Sequence, residues 1–301
     1  MPLSTAVVGT SGEPVTHEMD ARWMMAYAAG LGETLPCYLD TRRPQGIVAH
    51  PLFPVCLEWP ALLAIRRRSG SKSLSPAEAL RGVHATHDLT IYRGVRPGDR
   101  LTSQATIVGI ERRKPGAYQV TRVETKDASG ATVCTTWYGT LYRGVDVEGS
   151  NLPATNAPAA PGPVNPGTPV LSEVAIPVPE LAAHIYTECS RIWNPIHTDS
   201  AVAARAGLPG LILHGTATLA LAVSRVLHLE IGGGPERVCR VAGSFNAMVR
   251  MPSCISVHIL SRHRSPEGNT VRFEVRNAEG GPAIRNGLMQ FRALHMSSPG
   301  F

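Results

Sequence analysis

The order of elements repeats once along the chain, and this repeat constrains the fold more than any other feature. In the first half, a mostly apolar helical stretch over residues 55–67 precedes four segments of strand periodicity, 84–93, 100–112, 118–126 and 131–143. Pro97-Gly98-Asp99, Pro115-Gly116 and Ala128-Ser129-Gly130 supply the turns between them. In the second half, an apolar stretch over 216–229 precedes segments 240–249, 253–263, 269–277 and 282–292, with turns at Glu267-Gly268 and Glu279-Gly280-Gly281. Ala217, Leu219, Ala220, Leu221, Val223, Val226 and Leu227 make the second helix apolar nearly all round, the mark of a buried helix. The halves also align in register. Val95-Arg96-Pro97-Gly98-Asp99 sits where Val249-Arg250-Met251-Pro252-Ser253 sits, and Ala49-His50-Pro51 sits where Leu213-His214-Gly215 sits. Similarity that is weak at each residue but ordered along the length indicates a duplicated unit. The expectation is an α+β protein with one long helix against an antiparallel four-strand meander, twice over.

Residues 146–169 are rich in Pro, Ala, Gly and Asn with almost no charge, so units of 1–145 and 170–301 are expected around a linker. Smaller elements are also legible. Helices are expected from Thr16 through Ala29 and over 181–187. Pro60 should kink the 55–67 helix or sit in its first turn, and Ser75-Pro76-Ala77-Glu78 is a capping box. Trp23, Met24, Met25, Tyr27, Phe53 and Trp59 read as core.

Charge and cysteine usage narrow the partners. The net charge of +6 comes from scattered Arg. No basic-aromatic alternation accompanies it, so an anionic small-molecule carrier fits better than nucleic acid. The runs Arg66-Arg67-Arg68, Arg112-Arg113-Lys114 and Arg262-His263-Arg264 could meet phosphates, though a solvated face explains any single run as well. The six cysteines form no C-x-x-C pair and no metal-ligand spacing. Free thiols in a reducing cytoplasm are expected, with no metal. The first residues lack a signal-peptide pattern, and no apolar run nears the ~20 residues of a membrane span.

Function concentrates in residues 186–221. Pro195 biases Asn194 away from the α region, so a sharp turn should hold His197. Asp199 starts a short helix that Gly207, Pro209 and Gly210 end. Gly215 then opens the long helix with a bare N–H backed by the helix dipole. A neutral-pH base beside such an N–H suits proton transfer next to a thioester carbonyl, where an enolate oxygen must be stabilised.

Tyr186, Ser190, Asn194-Pro195-Ile196-His197 and Leu213-His214-Gly215 occur in that order. In this the stretch resembles the hydratase motif of MaoC-like (R)-specific enoyl-CoA hydratases and dehydratases. The resemblance implies a double hotdog, two sheets each wrapped around a central helix and joined edge to edge, with the catalytic residues in the C-terminal copy. It implies a lyase of fatty acid or polyketide metabolism acting on acyl thioesters of coenzyme A or an acyl carrier protein, with no other cofactor, and a possible homodimer. His197 would be the general base or acid, Asn194 would orient water or substrate, and the Gly215 amide would hold the oxyanion. Tyr186, Ile192, His214 and Thr216 would border the substrate. One departure stands out: the family's Ser-Gly-Asp reads Ser190-Arg191-Ile192, so Ile192 occupies the place of the catalytic aspartate.

Each residue also has a plainer reading. Asn194 is a favoured residue in a turn before Pro. His197, His214, Tyr186 and Ser190 could be hydrogen-bonded packing, and Gly215 a tight helix entrance. Glu188 and Asp199 are the nearest carboxylates in sequence that could replace the aspartate, but Asp199 is expected to be committed to its helix start. Loss of the aspartate leaves two alternatives on the same fold: an isomerase, specialised dehydratase or cyclase, and a non-catalytic acyl-thioester-binding subunit.

Overall fold

The computed structural model describes residues 2–68, 74–165, 167–232, 234–266 and 268–293. The first half runs β1 (Leu3–Ser4), β2 (Val15–Glu18), α1 (Ala21–Gly30), α2 (Pro36–Leu39), α3 (Pro54–Arg68), α4 (Pro76–Ala79), β3 (Gly82–Ile91), β4 (Arg100–Arg113), β5 (Gly116–Asp127), β6 (Thr132–Arg143) and β7 (Val147–Glu148). The second half runs β8 (Ser172–Val178), α5 (Ala182–Ser190), a 3-10 turn (Pro195–His197), α6 (Ser200–Arg205), α7 (Gly215–Ile231), a second 3-10 turn (Pro235–Arg237), β9 (Val238–Phe245), β10 (Ser253–Ser265), β11 (Gly268–Arg276) and β12 (Pro282–Arg292).

One ten-stranded sheet carries both halves, in the order β2-β4-β5-β6-β3-β9-β12-β11-β10-β8. The order reads the same outward from the middle, so each repeat supplies five strands about a local twofold axis. The repeats meet where β3 pairs antiparallel with β9, Leu89 opposite Val241. This joint removes two free edges at once. α3 packs on β4 and β5, and α7 on β9, β10 and β12. Leu219, Ala220, Val223, Val226 and Leu227 of α7 are fully buried, and the helix stops at Gly232, which takes the left-handed φ of +59° that a side chain would resist. Among the described residues no helix is long and apolar enough to cross a membrane.

Several expectations change in detail. The meander of each half has three strands, β4-β5-β6 and β10-β11-β12, and the first strand of each set lies beyond β6 or β12. The stretch 92–99 is longer than a hairpin turn, which lets β3 cross to the far side. Residues 15–18 form a strand on the sheet edge rather than a helix, with Val15 opposite Ser103. α1 starts after Asp20, whose carboxylate accepts the Trp23 N–H at 2.7 Å. β8 was not expected at all. Pro177 argues against an inner strand, but β8 is an edge strand, where a missing donor does no harm. β9 ends at Phe245, because the Val249 carbonyl instead accepts the Leu213 N–H at 2.8 Å. Pro60 stays inside α3, so the Cys56 carbonyl lacks the N–H it would otherwise meet. The capping box at Ser75 forms as expected, with Ser75 N–H donating to Glu78 at 2.8 Å. Glu267, one residue of an expected turn, lies outside the described residues.

Residues 146–169 lie along the fold. β7 pairs with β1, Leu152 bridges Ile110, and the carbonyls of Ala159 and Gly162 accept from Arg240 and Arg272. The basic runs are partly spent on internal partners: Arg68 pairs with Glu13, Arg113 lies 3.4 Å over the Tyr118 ring, and Arg262 donates to Glu230 at 2.8 Å. The six cysteines are free thiols.

Candidate functional site

The site is built by a helix end, a proline turn and a helix start. α5 ends at Ser190, whose hydroxyl donates to the Tyr186 carbonyl at 2.6 Å and accepts the Ile192 N–H at 3.3 Å. Between them Arg191 holds φ +58°, a left-handed conformation that costs a non-glycine residue about 1–2 kcal/mol. Its guanidinium lies 4.0 Å over the Trp23 ring, which offsets part of that cost. The Asn194 carbonyl accepts the His197 N–H at 3.2 Å, closing the Pro195–His197 turn. Asp199 caps α6, accepting from Ala201 at 2.8 Å and Val202 at 3.0 Å. Its carboxylate is therefore occupied.

His197 is nine-tenths buried, and its Nδ1 lies 2.9 Å from the Ile212 carbonyl. A carbonyl only accepts, so Nδ1 carries the proton and Nε2 the lone pair. Burial lowers the His197 pKa to about 4 against the opposing pull of the Ile212 bond, so the ring is neutral at neutral pH. The ring stacks on His214 at 3.7 Å. His214 in turn has Nε2 3.2 Å from the Thr187 hydroxyl. Its own pKa is pushed well down, first by burial and then by His197.

His214 is the cap residue of α7, and no side chain caps that helix start. Gly215 and Thr216 are half-buried. A Cβ on Gly215 would stand 2.9 Å from the Phe245 ring, so glycine lets that ring close over the helix start. Tyr186 is fully enclosed, with its ring 5.0 Å from that of His214 and its hydroxyl 3.4 Å from the Tyr27 hydroxyl. His197, His214, Gly215, Thr216 and Tyr186 therefore form one contiguous cluster. Asn194 shapes it through its backbone and is half-buried. Ile192 is 6 % exposed and offers only apolar surface. Glu188 is exposed and receives the Trp193 indole N–H at 3.5 Å. Thr187 was not anticipated from sequence, since nothing in the motif marks it. Among the described residues no cluster of three or more His, Cys, Asp or Glu could hold a metal ion.

The first repeat holds a counterpart of this turn, which residue similarity alone did not disclose. Tyr38 N–H bonds the Leu35 carbonyl as His197 N–H bonds Asn194, and Asp40 N–H bonds Pro36 as Asp199 N–H bonds Pro195. Ala49 N–H bonds Val95 as Leu213 N–H bonds Val249. In this register Gly32, at φ +73°, matches Arg191 at +58°. Glu33 matches Ile192, Tyr38 matches His197, His50 matches His214 and Pro51 matches Gly215. The carboxylate absent from the second copy thus stands in the first, buried and 3.1 Å from His228 of α7. The first copy has no free amide to match Gly215. Pro51 has no N–H, Leu52 N–H is held by His50 Nδ1, and Phe53 N–H by the His50 carbonyl. A cavity of about 20 Å³ beside His50, Pro51 and Pro54 has room for a single water; Pro235, Glu236 and Val238 of the second repeat close it, and His197 does not line it.

Two copies of a helix-on-sheet unit, joined edge to edge through β3 and β9, with the polar cluster at the start of the second central helix, define a double hotdog protein. The family matches divide the chain the same way. Residues 163–280 match the MaoC like domain, and residues 6–136 match the FAS1-like dehydratase domain region. The chain thus carries a MaoC like domain in its second half and a FAS1-like dehydratase region in its first. Among solved structures, a MaoC-like dehydratase from Phytophthora Capsici superposes with a TM-score of 0.77 at 19 % identity, over 95 % of this chain and 96 % of that one. The peroxisomal enoyl-CoA hydratase 2 of Arabidopsis thaliana is 28 % identical over 105 residues, 35 % of this chain and 32 % of that protein. The fatty acid synthase beta subunit pkiC of Emericella nidulans is 41 % identical over 64 residues, 21 % of this chain and 3 % of that protein. The chain spans about a third or less of the length of these curated relatives.

Proposed function

We propose that the chain is a lyase that interconverts 3-hydroxyacyl and 2-enoyl thioesters of coenzyme A or phosphopantetheine. One observation carries the reading: the Nδ1–H of His197 is committed to the Ile212 carbonyl, which leaves a neutral Nε2 lone pair beside the uncapped start of α7. In the dehydration direction Nε2 takes the α-proton, and the electron pair moves onto the thioester oxygen, where the Gly215 N–H stabilises the enolate. The enolate then collapses, the β-hydroxyl leaves, and the same imidazolium gives its proton to it as water. One imidazole can serve both transfers on one face of the substrate. General acid–base catalysis of this kind contributes about 10²–10⁴-fold, and one oxyanion donor about 10²–10³-fold. Asn194 positions the reacting groups through the turn it closes.

Ile192 favours a second reading. Without a carboxylate there, no second base prepares water for addition, and Asp199 is held at its helix cap. Loss of that group slows hydration and dehydration alike, so the site would suit an isomerase or cyclase reaction that needs only one base. The test is a His197→Ala variant assayed with crotonyl and longer 2-enoyl thioesters and with 3-hydroxyacyl thioesters. A loss of at least about 10²-fold in kcat is expected. Unchanged turnover would refute the assignment, and tight acyl-thioester binding without turnover in the unaltered chain would instead mark a binding subunit.

A further inference from the structure

Three imidazole nitrogens on β3, close to the start of α7, have no partner. His84 and His87 stand on β3, at the joint of the two repeats. His87 is 1 % exposed, and both of its ring nitrogens are buried without a hydrogen bond, as is Nε2 of His84. A buried polar group left unpaired costs about 1–3 kcal/mol, and such groups are rare enough in native proteins to need a cause. Burial lowers the His87 pKa to about 4. His84 is pushed well down by burial first and by His87 second. Both rings are therefore neutral, each offering one donor and one acceptor.

Their position relates them to Gly215. The His84 ring stacks on Tyr138 at 3.7 Å, tilts against Phe245 at 4.4 Å and lies 5.5 Å from His87. Phe245 is the ring that closes over Gly215. His87 sits opposite Gly243 of β9, and a Cβ on Gly243 would stand 3.6 Å from Leu219, one turn along α7 from Gly215. Phe245 and Gly243 point to the same face two residues apart, about 7 Å along the strand. A continuous line of contacts therefore runs from Gly215, past Phe245 and His84, to His87.

We infer that His84 and His87 form a polar lining of the acyl pocket and select thioesters whose chain carries a hydroxyl or keto oxygen beyond the β-carbon, around the δ to ζ positions. The inference rests on Gly215 as the thioester amide. A hydroxyl can accept from one imidazole N–H and donate to the lone pair of the other, whereas a plain alkyl chain leaves all three nitrogens unpaired.

The test uses the full chain and two 2-enoyl thioesters of equal length, one alkyl and one with a hydroxyl at the ε-carbon. The expected kcat/KM ratio favours the hydroxylated substrate by about tenfold or more, the equivalent of one satisfied buried group. His87→Leu and His84→Phe should each lower that ratio about tenfold, and His87→Gln, which keeps a donor and an acceptor, should retain most of it. Melting temperatures identify any variant that fails to fold, and the comparison within the unaltered chain needs no variant. Turnover of both substrates at equal kcat/KM, or a ratio indifferent to all three changes, overturns the inference and leaves the nitrogens to internal water. If neither substrate is turned over, the hydratase reading fails first. The affinities of the two thioesters then decide the pocket, and equal affinities overturn the inference.

Discussion

Acidification should unfold this protein earlier than its composition suggests, and the size of the effect follows from its buried rings. His50, His87 and His197 each have their pKa lowered from the ordinary 6.5 to about 4, in every case chiefly by burial. A folded value below the unfolded one means the unfolded chain binds more protons. The stabilisation is complete above pH 6.5 and is lost as pH falls toward 4. At pH 5 each ring is almost fully charged in the unfolded chain and about one-tenth charged in the native state, a loss of about 2 kcal/mol per ring relative to pH 7.5. The three together remove about 6 kcal/mol, and His84 and His214, pushed down in the same direction, add to it. Glu58 opposes them. Burial raises its carboxyl from 4.5 to about 7, so its contribution is complete below pH 4.5 and lost as pH rises through 7. It returns about 2 kcal/mol on the way down to pH 5. The net loss of at least about 4 kcal/mol is a large part of a typical stability of about 5–15 kcal/mol. Urea unfolding at pH 7.5, 6.5 and 5, with proton uptake measured by titration in buffers of different ionisation enthalpy, reads this directly. A stability that is flat from pH 7.5 to 5, or unfolding without proton uptake at pH 5, would mean that water reaches these rings and that the packing between the helices and the sheet is wrong.

Substitutions at three positions test the site itself. Ile192→Asp restores a carboxylate at the family position and should raise hydration of 2-enoyl thioesters by about 10²-fold; no gain, in a variant that still melts cooperatively, would count against a hydratase that merely lacks its acid. Gly215→Pro keeps an allowed first helical residue but deletes the N–H, and should lower kcat about 10²–10³-fold. Gly215→Ala keeps the N–H while meeting the Phe245 ring at 2.9 Å, so comparing the two separates the lost donor from the steric effect. Arg191→Ala should destabilise by about 1 kcal/mol, because the cation–π contact with Trp23 goes while the left-handed backbone stays. Arg191→Gly should be close to neutral by denaturant midpoint, since relief of the backbone offsets the lost contact.

Much of this was legible in the sequence because it depends on local pattern. The apolar helix from Gly215, the capping role of Asp199, the capping box at Ser75 and the turns of the strand hairpins are all set by residues within a few positions of one another. What escaped depends on distant partners. β2 and β8 are edge strands, each paired on one side, so Thr16–Glu18 reads as the start of a helix and Pro177 argues against a strand. The place of β3 beyond β6 is set by pairing with β9 from the other repeat. The register that matches Glu33 with Ile192 and Tyr38 with His197 emerges only from backbone hydrogen bonds, since none of those pairs shares a residue type.

That register also explains why an acid in the first copy does not make it a second thioester site. Enolate chemistry needs a donor at the developing oxygen as well as a base. The first copy keeps a buried carboxylate at Glu33 and a phenol at Tyr38, yet Pro51 removes the amide and His50 holds the next two. The second copy has lost its carboxylate but keeps an uncapped helix start at Gly215 and a neutral imidazole oriented by Ile212. Each repeat therefore carries a different part of the arrangement proposed for the second site. If this is correct, Pro51→Gly paired with Tyr38→His in the first copy, beside the Glu33 already there, should create weak hydration activity in a His197→Ala background. No recovered activity in a folded variant would show that the amide and the acid–base pair are not sufficient on this scaffold.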